Sequence, residues 1–296
     1  MKILRIESLV YGVDDLDASI RYYEDWGLAL ERRGTHGADF VLPSGQTICL
    51  RANDDRSLPD PVENGSTVRE VVWGVDGGAS LDELAAELSK DREVEHEADG
   101  LRVRDPWGLS LRFVATERSD VPADAPSRGR NEPFAVDARI RPRRIGHVVF
   151  FVPASRFDET AAFYLDRLQF RLTDRVPGFG DFMRCAGALD HHSLFILQQG
   201  ERAGFNHAAF EVANFDEVIV GGRYMLERDW KAATSPGRHV MGSNLFWYFA
   251  SPCGGNTEYF ADMDRMDDAW KPRVWEKHPG FAWWMMDAPT SGNKPV

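Results

Sequence analysis

Four segments of this chain open alike, and that repetition limits the fold more than any other feature. Each starts with about eight residues rich in β-branched and aromatic types. Each then runs into an amphipathic stretch with apolar spacings of three and four, and ends in several short strand-like runs. The openings are RIESLVYGV, VREVVWGV, RIGHVVFFV and FNHAAFEV. The helical stretches that follow are LDASIRYYEDWG, SLDELAAELSK, FDETAAFYLDRL and FDEVIVGGRYMLERD. The second and fourth units also close alike, DPWGLSLRF against SPCGGNTEYF. The pattern predicts an α+β fold of four βαβββ modules, paired into two domains. Residues 118–141 are rich in Pro, Asp and Arg, have no apolar period, and read as a linker. The N-terminal module pair is then 1–117, the C-terminal pair 142–262, and 263–296 is a tail carrying FAWWMM.

Charge and composition remove several classes of function. Lys plus Arg number 35 against 47 Asp plus Glu, a net charge of −12, which repels a phosphate backbone and argues against nucleic acid as a partner. No apolar run approaches the roughly 20 residues of a membrane helix, so no membrane partner is expected. The start, MKILRIESLVYGV, alternates like a strand and lacks signal-peptide architecture. Cys49, Cys185 and Cys253 are too few for a disulfide framework and include no Cys-x-x-Cys pair for structural zinc. A cytoplasmic location is the expectation. Gly254 and Gly255 read as a turn, not a phosphate loop.

Five of the eight histidines lie between positions 147 and 239. Any one of them alone reads as a packed or solvated ring; their places in the repeat change that. His147 sits in the opening strand of unit three, His207 in that of unit four, and Glu258 in the closing strand of unit four. Paired modules bring these strands to one cleft. Two imidazoles and a carboxylate with open positions form the set expected for non-haem Fe(II), and Mn(II) is a lesser candidate for the same ligands. The N-terminal half is an internal control. There Ser8 stands for His147, Glu70 for His207 and Arg112 for Glu258, so that half has the scaffold without a metal set.

At these residues the chain resembles the type I extradiol ring-cleavage dioxygenases of the vicinal oxygen chelate superfamily. GRHVMGSNLFWYFASPCGGNTE is similar to that family's signature through Gly237, His239, Tyr248, Pro252, Gly254 and Glu258. LDHHSLFI resembles its His-His segment, and the four-module layout extends the likeness over nearly the whole chain. Trp247, Ser251, Met241 and Gly242 depart from the usual residues at their positions, which touches the substrate more than the reaction.

The resemblance implies a vicinal oxygen chelate fold and Fe(II)-dependent cleavage of a small catecholic substrate, with O2 as co-substrate, in aromatic catabolism. It implies that His147, His207 and Glu258 bind the metal, that His192 is the acid/base, and that His239 and Tyr248 hydrogen-bond the catechol oxygens. It also hints at a homo-oligomer. His191 and His192, read as strand neighbours, face opposite sides, which leaves His191 on the surface. His239 reads as a loop residue, and His36, His96 and His278 have no expected role. Phe179, Phe182, Met183 and Trp247 are candidates for an apolar slot around an aromatic ring. The tail reads as docked within the fold, with cover over the pocket mouth or a subunit contact as alternatives. Two other functions stand beside this one: a non-oxygenase isomerase, lyase or thiol transferase using a divalent metal, and a metal-free protein that sequesters an aromatic drug.

Overall fold

The computed structural model describes residues 2–116 and 139–287. Most of the segment read as a linker, 118–138, lies outside the described residues. Each module is built as its pattern predicts. The first runs β1 (Ile3–Val13), α1 (Leu16–Trp26), β2 (Ala29–Arg33), β3 (Gly37–Val41) and β4 (Thr47–Ala52). The second runs β5 (Thr67–Asp76), α2 (Gly77–Leu88), β6 (Glu95–Glu97), β7 (Gly100–Arg104) and β8 (Ser110–Thr116). The third has β9 (Arg144–Phe151), α3 (Phe157–Ala162), β10 (Arg171–Val176), β11 (Gly180–Arg184) and β12 (Leu194–Leu197). The fourth has β13 (Gly204–Glu211), α4 (Phe215–Leu226), β14 (Gly237–His239), β15 (Leu245–Ala250) and β16 (Asn256–Ala261).

Within every module the last strand lies parallel to the first, a pairing that demands a crossover, and the helix with its two middle strands provides it. The opening strands then pair antiparallel, β1 with β5 and β9 with β13. The result is two sheets. One has eight strands in the order β2-β3-β4-β1-β5-β8-β7-β6. The other has ten, because the tail adds β17 (Arg273–Val274) beside β10 and β18 (Ala282–Met285) beside β14. Every residue of β9 is buried, as suits a central strand covered on both faces.

Local chemistry starts and stops the helices. Asp15 caps α1 by accepting from the Ala18 amide at 2.9 Å. Asn214 caps α4 by accepting from Glu217 N, and the Glu217 carboxylate reaches back to Ala213 N at 2.7 Å. Gly27 ends α1 at φ 102°, where a side chain would also strike the Ile140 carbonyl.

The two halves expected as domains share one continuous apolar interior. Module one faces module four, and module two faces module three. Trp26 stacks on Tyr259 with ring centroids 3.6 Å apart and planes 2° apart, and the Tyr259 hydroxyl donates to Trp26 O at 2.8 Å. Tyr22 and Thr257 share a hydroxyl–hydroxyl bond beside them. At the other junction Trp73 meets Phe170 edge-on, and the Tyr164 hydroxyl donates to Asp105 at 3.0 Å. Among the described residues no helix is long and apolar enough to cross a membrane.

Trp26→Ala deletes the larger ring of the inter-half stack. The expected cost is about 3–5 kcal/mol of stability, read as a lower midpoint in urea. A loss below about 1 kcal/mol would show that the two halves do not depend on this contact.

Candidate metal centre

Strand register brings three donors to one point. Ala209 in β13 lies opposite His147 in β9 and alongside Glu258 in β16, so these three residues form one rung across the middle of the sheet. Cross-strand neighbours share a face. His207, two residues before Ala209, shares it too. The small Ala209 side chain leaves the space into which the two rings and the carboxylate converge. His147 Nε2 lies 3.1 Å from Glu258 Oε2, His207 Nε2 lies 3.3 Å from the same oxygen, and the two Nε2 atoms are 3.4 Å apart.

That geometry suits a divalent ion. Ligands at about 2.1 Å on neighbouring octahedral vertices stand about 3 Å apart. Among the described residues no other group of three or more His, Cys, Asp or Glu donors draws together in this way. The donor chemistry fits as well. His207 Nδ1–H donates to Asn206 Oδ1 at 2.6 Å, which leaves its Nε2 as a lone pair aimed at the cluster. Burial pushes the His147 imidazole down to about 4, against the opposing pull of Glu258, so it is neutral at neutral pH. Burial alone would raise the Glu258 carboxyl, but the imidazoles of His147, His207 and His239 packed around it hold it well below the usual range. Asn244 Nδ2 donates to its other oxygen at 2.9 Å.

Around the cluster lies a cavity of about 350 Å³, within the range of small-molecule sites. His192, His239 and Tyr248 all line it. His192 packs on His147 with ring centroids 4.1 Å apart, and burial drives its pKa well below 6.5. Tyr248 donates to His239 Nε2 at 2.9 Å, because His239 Nδ1–H is given to the Phe281 carbonyl at 3.0 Å. Burial and the adjacent Glu258 push the Tyr248 hydroxyl well above 10. Phe179 and Phe182 stand in the apolar wall with Val149, Phe195 and Met241.

Two residues read as pocket walls lie elsewhere. Along β11 the side chains alternate, so Phe182 enters the cavity and Met183 is buried on the opposite face, in the main core. The same alternation in β15 gives the cavity Tyr248 and turns Trp247 onto α4, where Gly222 has no Cβ to obstruct the indole. His191 is buried, not on the surface, because the His-His segment is a bend and strand alternation does not apply. His239 ends a short strand instead of lying in a loop. The tail supplies wall residues that its sequence did not assign, His278 and Phe281, as it crosses from β17 to β18. Asn206, Thr234 and Asn256 also line the cavity without any local motif to mark them.

In the N-terminal half the matching rung is Ser8, Val72 and Arg112. Glu70 there is bound by Arg102 at 2.5 Å and by Ser110, while Arg112 pairs with Glu97 and Asp99. Fixed cations, Arg102 and Arg112, occupy this half's counterpart of the donor cluster.

Residues 144–259 match the model of the Glyoxalase/Bleomycin resistance protein/Dioxygenase superfamily. Metapyrocatechase 2 of Cupriavidus necator is 35% identical over 153 residues, 51% of this chain and 47% of that protein, so the chain spans about half the length of this relative. The manganese-dependent 2,3-dihydroxybiphenyl 1,2-dioxygenase of Geobacillus genomosp. 3 is 24% identical over 84% of this chain and 86% of its own length. Among solved structures, the halotolerant catechol dioxygenase BphC superposes with a TM-score of 0.76 at 17% identity, covering 96% of this chain and 94% of that one. The structural likeness establishes the shared fold.

Asn244→Ala would remove the donor that orients Glu258. Affinity for Mn(II) or Fe(II), measured by competition with a chelator, is expected to fall about 10–100-fold. Unchanged affinity would mean that the carboxylate is held by the histidines alone.

Proposed function

With residues 144–259 a domain of the Glyoxalase/Bleomycin resistance protein/Dioxygenase superfamily, we propose that this chain is an extradiol dioxygenase that opens the ring of a catechol with O2. The observation that carries the proposal is a two-histidine, one-carboxylate cluster at a mostly apolar cavity that His192, His239 and Tyr248 also line. His147, His207 and Glu258 would hold a divalent ion, Fe(II) in this reading, and the same ligands would accept Mn(II). When bound, such an ion would supply Lewis acidity toward the catechol and a route for electron density to O2.

The chain's own residues do the rest. Phe182 and Phe195 are stacked at 3.8 Å and give the wall an aromatic surface for the substrate ring. The apolar wall keeps bulk water from the reacting groups. A catechol must give up protons to bind as a catecholate, and its hydroxyls are weak acids, so positioned acceptors are needed. His192 is neutral at neutral pH and can accept such a proton at its ring nitrogen. The same imidazole, once protonated, would be placed to return a proton to oxygen. Tyr248 and His239 form a connected donor–acceptor pair suited to the catechol oxygens. Both atoms of O2 end in a ring-opened product bearing a carboxylate and an enol-ketone or semialdehyde.

The test is oxygen uptake by anaerobically Fe(II)-loaded protein given mono- and bicyclic catechols. One O2 consumed per catechol, with a yellow product, is expected. Protein shown to hold iron but silent across the panel would overturn the proposal in favour of a non-oxygenase metal enzyme. His147→Ala, His207→Ala and Glu258→Ala are each expected to lose the metal. His192→Ala is expected to keep it and to lose about 10²–10⁴-fold in turnover. Full activity in His192→Ala would remove it from the acid/base role.

A further inference from the structure

Behind His192 three buried or half-buried groups follow one another, and none of them lines the cavity. Trp275 Nε1 donates to Asp174 Oδ1 at 2.9 Å. Asp174 Oδ2 meets His191 Nε2 at 2.7 Å. His191 Nδ1 meets His192 Nδ1 at 3.0 Å. Asp174 comes from β10, the histidines from the bend before β12, and Trp275 from the tail just after β17. Gly242, at φ 81°, passes so close that a Cβ there would lie 3.2 Å from His191 Nδ1.

With His191 as the neutral imidazole, the chemistry of these groups sets the direction of every bond. An indole N–H only donates, and an ionised carboxylate only accepts. His191 Nε2 must therefore carry a proton. A neutral imidazole has one N–H, so His191 Nδ1 is a lone pair. The 3.0 Å contact then requires the proton of His192 on its own Nδ1. His192 Nε2 is left as an acceptor.

We propose that Asp174 and His191 are positioning residues that hold His192 in the tautomer whose Nε2 is a proton acceptor. This rests on the reading of His192 as the proton-transfer group, and it assigns a role to the first histidine of the His-His pair. A carboxylate serving only to satisfy a buried indole would leave the tautomer of His192 unset.

Asp174→Asn separates the two roles while keeping the shape. Trp275 claims the amide oxygen, so the amide nitrogen faces His191 and donates to its Nε2. The His191 proton moves to Nδ1, His192 Nδ1 becomes the acceptor, and His192 Nε2 gains the hydrogen. The polarity of the whole row inverts. Adding Trp275→Phe frees the amide to turn its oxygen to His191, which restores the original direction.

The experiment reads ring tautomers by long-range ¹H–¹⁵N correlation of histidine-labelled, Zn(II)-loaded full-length protein. It is run beside steady-state kinetics of the Fe(II)-loaded protein with a catechol. Expected are an Nδ1–H His192 in the unaltered chain, an Nε2–H His192 in Asp174→Asn, and recovery in the double variant. In Asp174→Asn, kcat is expected to fall about a hundredfold with KM and iron content unchanged, and to recover at least about tenfold in the double variant. An Nε2–H His192 in the unaltered chain, or a tautomer and kcat indifferent to Asp174→Asn, would overturn the inference. Should the unaltered chain cleave no catechol, the proposed reaction fails, and the tautomer spectra alone decide whether Asp174 and His191 set His192.

Discussion

The fully buried carboxylate of Glu258 is the group around which the C-terminal half is arranged. An ion taken from water into an apolar interior costs several kcal/mol unless partners replace the lost solvation. Here His147 and His207 face one carboxylate oxygen, Oε2, and Asn244 and His239 face the other, Oε1. They come from four segments that only this sheet order brings together. The N-terminal sheet meets the same problem at Glu70 and solves it with Arg102 and Ser110. A guanidinium satisfies a carboxylate permanently. Imidazole nitrogens beside the carboxylate can instead turn lone pairs toward a cation that balances its charge. One scaffold thus yields a closed ion-pair cluster in one half and an ion-accepting cluster in the other.

Strand alternation couples that chemistry to the fold. In β16, Glu258 faces the cleft and Tyr259, its neighbour, faces the other half of the chain, where it stacks on Trp26. A one-residue slip in this strand would bury a tyrosine in the cleft and send the carboxylate into the core. The shared interior therefore does more than join two halves. It fixes the register that places the donors, so the N-terminal half, which has no such donor set among its described residues, still helps determine where Glu258 points.

The same alternation explains what could and could not be read in the sequence. The four modules and the cluster His147, His207 and Glu258 were legible because the repeat aligns equivalent strands, and equivalent strands occupy equivalent places in the sheet. Phe179 and Phe182 line the cavity. Met183 and Trp247, read as wall residues with them, do not: an all-apolar run such as LFWYFA shows no alternation from which to read its phase. Tertiary packing sets that phase, through Gly222 under Trp247. His191 was misplaced because a bend was read as a strand. Phe281 and His278 were invisible for a different reason: they belong to no module. The tail's two short strands gain their structure only from the sheet edges they join.

That tail changes how the site is completed. The repeated modules supply the metal donors, His192, His239 and Tyr248. The orientation of His239 is set by the carbonyl of Phe281, and Asp174 behind His191 takes a bond from Trp275. Both anchors come from the segment between β17 and β18, which reaches opposite edges of one ten-stranded sheet. A backbone carbonyl and an indole N–H are fixed in their hydrogen-bonding sense, one only accepting and the other only donating. The Phe281 carbonyl therefore places the His239 proton on Nδ1, while the Trp275 indole holds Asp174 in place behind His191. The four modules bring the polar groups of the cavity together, and the non-repeated tail orients His239 and anchors Asp174 behind His191.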